Sequence, residues 1–374
     1  MKLLILSDPS SPHTVKWANG LHEMGLDISI FGVSSYDGAQ FNPGIKVDIY
    51  AVPKIIKLQA SGSLFKTAYL LALPRLKKRI RDFKPDIIHA HSASSYSLLG
   101  ALSGFHPFVI SVWGKDVYNF PQKSRFLKKV IIFNLKKSDM LFSTSKIMAE
   151  ETKKYTNKKI HVVPFGIDIE KFKPKKTDGY FSENDIVIGT IKSIDKKYGT
   201  DNLVRAFKKV KENHPDLPLK LLIVGGGAMT AQIKSLINDF GIESDVKITG
   251  LVSYDRIPEY HRMLDIYIAV STEDSESFGV AILEASACET PVIVSNVGGL
   301  PEVVDNNVTG FIIPHSNEEL LVEKIELLLD KNLRQKLGKA GRTRVKKKFN
   351  LQENKEDMVN NYKRILKNYF DKTH

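Results

Sequence analysis

Apolar and polar positions along this chain fall into two alternating kinds of segment. Short apolar runs recur: KLLILS, DISIFGV, DIIHAH and FVISVWG in the first half, then IVIGTI, KLLIVGG, VKITG, DIYIAV, PVIVS and FIIP in the second. Between them lie stretches with apolar residues at helical spacing, over Val15 to Met24, Tyr96 to Leu102, Asn202 to Val210 and Ala231 to Asp239, and one opening near Phe278. Short apolar runs bounded by turn residues read as buried strands, and i, i+3, i+4 spacing reads as amphipathic helix. Strand and helix in repeated alternation predict an α/β chain with two doubly wound Rossmann-like domains, joined near Pro164 to Pro174 and facing each other across a cleft. Ligands of such sheets sit at the carboxyl ends of the strands, where the polar segments of interest fall.

Composition narrows this picture. A chain of 374 residues, 42% hydrophobic and 26% charged, is long enough for two cored domains and unlike a disordered protein. Its single cysteine, Cys288, lies in an apolar stretch, which excludes a disulfide framework or a cysteine zinc site and predicts a small core residue of a cytosolic protein. The start, MKLLILSDPS, has too few apolar residues before Asp8 for a signal peptide, and no uncharged run approaches membrane-spanning length, so a cytoplasmic location is expected.

The net charge of +13 is unevenly placed, with 24 Lys and Arg against 11 Asp and Glu in residues 1–165 and 31 of each in the remainder. The excess concentrates in residues 54–84 and in QKSRFLKKVIIFNLKK. There basic residues interleave with Leu76, Ile80 and Phe83, or with Leu127, Val130, Ile131 and Phe133, at helical spacing. Basic amphipathic helices of this kind dock on anionic lipid headgroups, where each Lys or Arg adds about 1 kcal/mol. A solvated outer face is the alternative. No nucleic-acid reader motif accompanies the charge, so no nucleic-acid partner is expected.

The chemistry concentrates in residues 271–304, STEDSESFGVAILEASACETPVIVSNVGGLPEVV. A strand over Asp265 to Val270 runs into a polar loop that opens a helix near Phe278, and a helix start offers amide donors and the positive dipole end to a phosphate. The amides of Phe278, Gly279 and Val280 would complete phosphate binding, and Gly279 admits the ligand without a Cβ clash. Glu276 precedes these amides and Glu284 lies about two turns into the helix, so one carboxylate reaches each side of a bound diphosphate and accepts from sugar hydroxyls. The plainer alternative is a dipole-favoured acid and a solvated one. A bound diphosphate draws cations, and Lys192 and Lys197 after IVIGTI are the candidates, unless they belong to an ordinary solvated loop. Gly225-Gly226-Gly227 invites comparison with a dinucleotide fingerprint. However, its third glycine position is Thr230, and Asp245 begins the next strand instead of ending it, so the run reads as a tight turn.

The Glu276 to Glu284 segment resembles the donor-sugar signature of the retaining family 4 glycosyltransferases. The resemblance extends to PDIIHAHSASSYSLLGAL (85–102), SVWGKDVY (111–118), VVPFGIDIEKFKP (162–174), IGTIKSIDKKYGTDNLVRAF (188–207), LLIVGGG (221–227) and VTGFIIP (308–314), in the family's order. It implies the two-domain GT-B fold, with residues 1–165 binding the acceptor, 166–350 binding the nucleotide sugar, and a C-terminal helix over 351–374 packing back on the first domain. It also implies a metal-independent, retaining transfer of a hexose or N-acetylhexosamine from a nucleotide-diphosphate sugar, UDP first among them. The acceptor would be lipid-linked or a saccharide, in surface polysaccharide synthesis. Glu284 would accept from the ribose and Glu276 from the transferred sugar, neither acting as a nucleophile, with the base near Gly250 to Val252.

On the acceptor side the resemblance points to His13 at the mouth of SDPSSPHTVKW, to His91 ending DIIHAH and to Asp116 following VWG. The chain departs from the family at four places: Thr190 stands where an arginine is usual, Trp113 where a histidine is usual, Pro9-Ser10-Ser11-Pro12 replace a glycine-rich loop, and Glu289 occupies a position commonly glycine. A left-handed helix cap is expected at Glu289. Two other readings stay open: a UDP-sugar epimerase on the same frame, and a non-catalytic saccharide- or membrane-binding protein.

Overall fold

The computed structural model describes residues 1–34, 36, 41–51 and 69–373, so the part of the basic run over 54–68 lies outside the described residues. Two compact units emerge, one of Met1–Phe165 with Glu353–His374 and the other of Gly166–Gln352. Each is built on a single parallel sheet.

In the first unit the strands are β1 (Lys2–Leu6), β2 (Asp27–Gly32), β3 (Lys46–Ile49), β4 (Ile87–His91), β5 (Phe108–Val112), β6 (Met140–Ser143) and β7 (Ile160–Val162). Their order is β3-β2-β1-β4-β5-β6-β7, every pairing parallel. The chain winds outward one way from β1 and then returns to wind the other way from β4, so the switch point falls between those two strands. The middle strands are buried along their whole length, Leu3–Leu6, Ile87–His91 and Phe108–Val112 among them, because helices cover both faces.

The second unit repeats the plan with β8 (Ile186–Ile191), β9 (Leu219–Val224), β10 (Val246–Ile248), β11 (Ile266–Ala269), β12 (Val292–Ser295) and β13 (Gly310–Ile313). Its order is β10-β9-β8-β11-β12-β13, again all parallel, and the switch point lies between β8 and β11. Ile188, Leu221, Ile223, Ile266, Ile268 and Ile293 are among the strand residues that build its core.

The two basic helices do not turn their apolar stripes outward. In Leu73–Phe83, Leu76 and Phe83 are buried in the first unit's core and Ile80 packs against it, while Arg75 pairs with Asp48 at 2.6 Å and Arg79 donates to Ser29 Oγ. In Arg125–Lys137 the core is met by Leu127, Ile131 and Leu135, with Val130 packed against it. What this helix does expose is Phe126, 62% accessible, and Ile132, 40% accessible, beside Arg125, Lys128, Lys129, Lys136 and Lys137. No helix among the described residues is long and apolar enough to cross a membrane.

The C-terminal helix, Leu351–Thr373, belongs to the first unit from Glu353 onward. Met358, Val359, Tyr362 and Ile365 are buried, Asn354 donates to the Pro164 carbonyl at 3.1 Å, and the Tyr362 hydroxyl meets His89 Nδ1 at 2.6 Å. Cys288 is a buried free thiol that burial pushes up to about 12, an inert core group.

Candidate active site

The carboxyl ends of β8 and β11, either side of the second unit's switch point, carry the charged residues of interest. After β8 the backbone passes Lys192 and turns through Lys196–Tyr198; after β11 it enters the loop Ser271–Gly279. The two loops are tied together, since Thr272 N donates to the Lys197 carbonyl at 2.8 Å. Lys192 Nζ lies 3.0 Å from Glu276 Oε1, and the Ser271 hydroxyl reaches Glu276 Oε2 at 3.5 Å. Lys192 and Lys197 both stand over the Tyr198 ring, their ammonium groups 4.6 and 4.5 Å from its centroid. A small cavity is lined by Thr190, Lys192, Tyr198, Ser271, Glu276 and Gly279.

The helix that follows runs over Val280–Ala287 with Gly279 as its N-cap, two residues later than expected from the apolar pattern near Phe278. Phe278 is buried before it, against Phe349. Gly279 has φ +83, and a Cβ there would sit 2.9 Å from Ile282 Cδ1 and from Leu300 Cδ2, so the glycine serves the turn and its packing as well as any ligand. The later start corrects the depth of Glu284, which is the fifth residue of the helix and little more than one turn inside it. Glu284 is 4% exposed, not on a solvated face. Its Oε1 accepts from the Tyr254 hydroxyl at 3.1 Å, and its Oε2 stands 3.3 Å from His261 Nε2.

Backbone packing holds the Glu276 loop in place. Gly299 N donates to the Glu276 carbonyl at 2.7 Å, and Gly298 N donates to Asp274 Oδ1 at 3.1 Å. A Cβ at Gly298 would lie 2.7 Å from the Asp274 carbonyl oxygen, and one at Gly299 would lie 2.7 Å from the Ser277 carbonyl carbon. The glycine run after β9 plays the same part beneath Lys192. A Cβ at Gly225 would lie 2.9 Å from the Lys192 carbonyl carbon and one at Gly227 2.7 Å from that of Ile194, while Ala228 N donates to Asp195 Oδ1 at 3.1 Å. Gly250, at φ +74, bridges back to Gly225, which brings the loop with Leu251 and half-buried Val252 beside this turn. Asp245 ends a short turn before β10 and pairs with Lys220 at 2.7 Å and Lys211 at 2.9 Å, a structural use that leaves no dinucleotide role for it.

His13, His91 and Asp116 lie in the first unit. His91 ends β4 and is 5% exposed; its Nδ1 is buried without a hydrogen-bond partner, and its ring centroid is 4.5 Å from that of Trp113. Burial, then His89 and His13, hold its pKa well below the ordinary imidazole range. Thr144 Oγ1 is also buried without a partner, and both residues line a small cavity with Trp113, Phe165 and Tyr362. His13 stacks on Phe165, centroids 4.2 Å apart. Asp116 is fully engaged with backbone: its oxygens accept from Ala93 N at 2.6 Å, Gly114 N at 2.8 Å and Trp113 N at 3.2 Å, fastening the loops after β4 and β5 together. Burial raises its pKa and these amides oppose the rise.

Tyr198 and Ser271 touch the candidate residues from within the quoted segments 188–207 and 271–304 without having been singled out, and Tyr254 and His261 reach Glu284 from outside every quoted segment. Nothing in the spacing of the sequence marks Tyr254 and His261.

The family described as "Glycosyl transferases group 1" matches residues 172–344, and "Glycosyl transferase 4-like" matches residues 2–145. A GDP-mannose-dependent alpha-(1-6)-phosphatidylinositol monomannoside mannosyltransferase of Mycobacterium tuberculosis is 30% identical over 196 residues, 49% of this chain. The chain thus spans 50% of that relative's length. The N-acetyl-alpha-D-glucosaminyl L-malate synthase of Bacillus anthracis is 28% identical over 306 residues, 76% of this chain and 74% of the relative. The fold of Anabaena HepE, solved in complex with UDP-glucose, superposes with a TM-score of 0.75 at 17% identity, covering 96% of this chain and 99% of that one. With both halves of the chain matched and two doubly wound parallel sheets in place, the protein belongs to the family 4 glycosyltransferases of the GT-B fold.

Proposed function

We propose that the protein is a retaining, metal-independent glycosyltransferase that moves a hexose or N-acetylhexosamine from a UDP-sugar to a hydroxyl of a lipid-linked or saccharide acceptor, in surface polysaccharide synthesis. The observation that carries this reading is the meeting of Lys192, Glu276 and the Gly279 helix start on one cavity at the switch point of the second sheet. Breaking the anomeric C–O bond leaves charge on the departing diphosphate. An ammonium has three donors, so Lys192 keeps Glu276 and still turns a proton toward a phosphate oxygen, with the amides of Gly279 and Val280 on the other side. Lys197 adds a second positive charge, and Gly250 to Val252 border the base.

Glu276, with one oxygen on an ammonium and the other near Ser271, is placed to accept from hydroxyls of the transferred sugar and is a poor nucleophile. That favours attack from the face the diphosphate leaves, the departing phosphate oxygen taking the acceptor's proton. In the first unit, the partnerless Nδ1 of His91 and the ring of His13 face acceptor hydroxyls, and Asp116 holds the loops after β4 and β5 in shape.

The UDP-glucose held by HepE supports the donor class, although the mycobacterial relative's name specifies GDP-mannose; that relative's phosphatidylinositol substrate supports a lipid-linked acceptor. Exposed Phe126 and Ile132 among lysines support docking on an anionic membrane surface. A thermal-shift panel of UDP-, GDP- and ADP-sugars tests the donor, because a ligand bound only by the folded state raises the melting temperature. A transfer assay on Glu276→Ala tests the chemistry: loss of about two orders of magnitude is expected, and transfer at the wild-type rate would overturn the reading. Acceptor-free conversion of UDP-N-acetylglucosamine would replace it with an epimerase.

A further inference from the structure

Glu284 is gripped by two side chains that the proposed reaction leaves unused. Tyr254 donates its hydroxyl to Oε1, and His261 Nε2 faces Oε2. The two differ in their freedom to move. His261, in the short helix Ile257–Arg262, has no exposed surface and is walled by Phe172 and Tyr267, with ring centroids 5.8 and 5.6 Å away. Its Nδ1 is buried with no hydrogen-bond partner. An N–H left unpaired there would cost more than a lone pair, so the ring proton belongs on Nε2, where it is donated to the carboxylate. Tyr254, in contrast, is 41% exposed, with the Lys171 ammonium 5.0 Å from its ring centroid. Burial and the charge of Glu284 raise the Tyr254 phenol above its ordinary range, which keeps it a donor.

We propose that His261 is a positioning residue that fixes the plane of the Glu284 carboxylate through Nε2–H, and that the Tyr254 hydroxyl occupies the place a nucleotide's ribose hydroxyl takes on binding. The inference rests on reading Glu284 as the ribose acceptor. His261 is a permanent partner because its ring is fully buried between the buried rings of Phe172 and Tyr267; Tyr254 is a displaceable one. A carboxylate pinned at one oxygen presents the other at a fixed angle, which lowers the ordering cost of binding the diol.

The test is calorimetric titration of UDP, GDP and ADP into the full chain and its variants, following the nucleotide that binds tightest. Asparagine places its N–H near the Nδ1 position of histidine and glutamine near Nε2. His261→Asn is therefore expected to raise Kd about tenfold while His261→Gln stays near wild type, and Tyr254→Phe is expected to lower Kd about threefold because no hydroxyl must leave. Equal Kd for the asparagine and glutamine variants overturns the His261 assignment, and weaker binding by Tyr254→Phe overturns the placeholder. Glu284→Ala separates the two levels: if it binds nucleotide like wild type, the ribose reading and this inference fall together, whereas weakened binding with an unaffected His261→Asn sinks the inference alone. The ring 15N spectrum of the wild-type protein reads the tautomer itself, with His261→Gln used only to assign the resonance. The resonance missing from His261→Gln should report the Nε2–H tautomer, and an Nδ1–H tautomer would overturn the proposal.

Discussion

Gly299→Ala should impair sugar transfer without unfolding the second unit. Gly299 has an ordinary negative φ, −84°, so alanine meets no backbone strain there, and the only obstacle is contact. The added methyl would start 2.7 Å from the Ser277 carbonyl carbon and 3.0 Å from Phe278 N. Carbon atoms rest at about 3.5–4.0 Å, so the loop must retreat by about 1 Å. That displacement falls on the segment carrying Glu276, whose carbonyl accepts from Gly299 N at 2.7 Å and whose side chain meets Lys192 at 3.0 Å. Misplacing a positioned group by about 1 Å costs on the order of 100-fold in rate, whereas overpacking of this kind costs about 1–3 kcal/mol of stability. Steady-state transfer kinetics and a thermal melt on the same preparation read the two effects separately. A folded variant with wild-type kcat would refute the claim that the Gly298-Gly299 turn sets the position of Glu276.

Lys192→Ala should raise the donor's KM by about tenfold or more, the worth of one charge-assisted phosphate contact, and an unchanged KM would remove Lys192 from the donor site. Transfer should proceed unaltered in excess EDTA; activity lost to the chelator and restored by a divalent cation would replace the ammonium-and-amide account of the diphosphate. Acid should destabilise the first unit through His89, which burial lowers to about 3 while the unfolded side chain titrates near 6.5. Between those values the unfolded chain binds the extra proton, so stability is full above the unfolded value and falls as pH drops, by about 2 kcal/mol at pH 5. A His89→Gln variant followed by denaturant unfolding at pH 7 and pH 5 should show a smaller loss than wild type, and an equal loss would contradict the assignment. Phe126→Asp should weaken binding to vesicles containing phosphatidylserine by at least about tenfold, and indifference of the wild-type protein to salt or lipid charge would retire the membrane surface altogether.

Most strands that could be read in the sequence are buried on both faces; β10, a partly exposed edge strand, was marked by VKITG all the same. All six strands of the second sheet appeared as apolar runs, and so did β1, β2, β4 and β5 of the first. The ones that escaped were β3, β6 and β7. β3 and β7 are the two edges of their sheet, and their sequences KVDI and IHV are only partly buried, so no apolar run forms. β6, MLFS, is buried but only four residues long and follows directly on KKSD. The basic helices were legible as helices, yet their apolar stripes proved to be core. Amphipathic spacing reports one buried face and does not say whether protein or lipid buries it. The exposed apolar residues on which the proposed membrane docking rests, Phe126 and Ile132, lie off the stripe.

The site was legible where one local segment supplies it, and illegible where distant residues complete it. Glu276, Gly279 and the helix start stand together in sequence, whereas the burial of Glu284 depends on Tyr254 and His261, which lie 30 and 23 residues away. Asp116 illustrates the converse. Its position beyond a strand end suggested contact with a ligand, and its carboxylate instead gathers backbone amides, because a loop with several inward N–H groups needs an acceptor as much as a substrate does. Glu289 shows how a departure from a family's pattern is absorbed. It does adopt the left-handed conformation expected of a glycine, φ +65, at a cost of about 1–2 kcal/mol. Two residues of the helix Lys331–Lys348 accommodate it: Gly338, where a Cβ would lie 2.7 Å from the Glu289 carbonyl carbon, and Arg342, which donates to the Ala287 carbonyl and approaches the Glu289 carboxylate at 3.9 Å. The helix that carries Glu284 is thus closed at its C-terminus by an arginine from a neighbouring helix, which satisfies a terminal carbonyl and places a cation at the negative end of the dipole. A cap supplied across such a sequence distance lets the glutamate stand without freeing the helix it terminates.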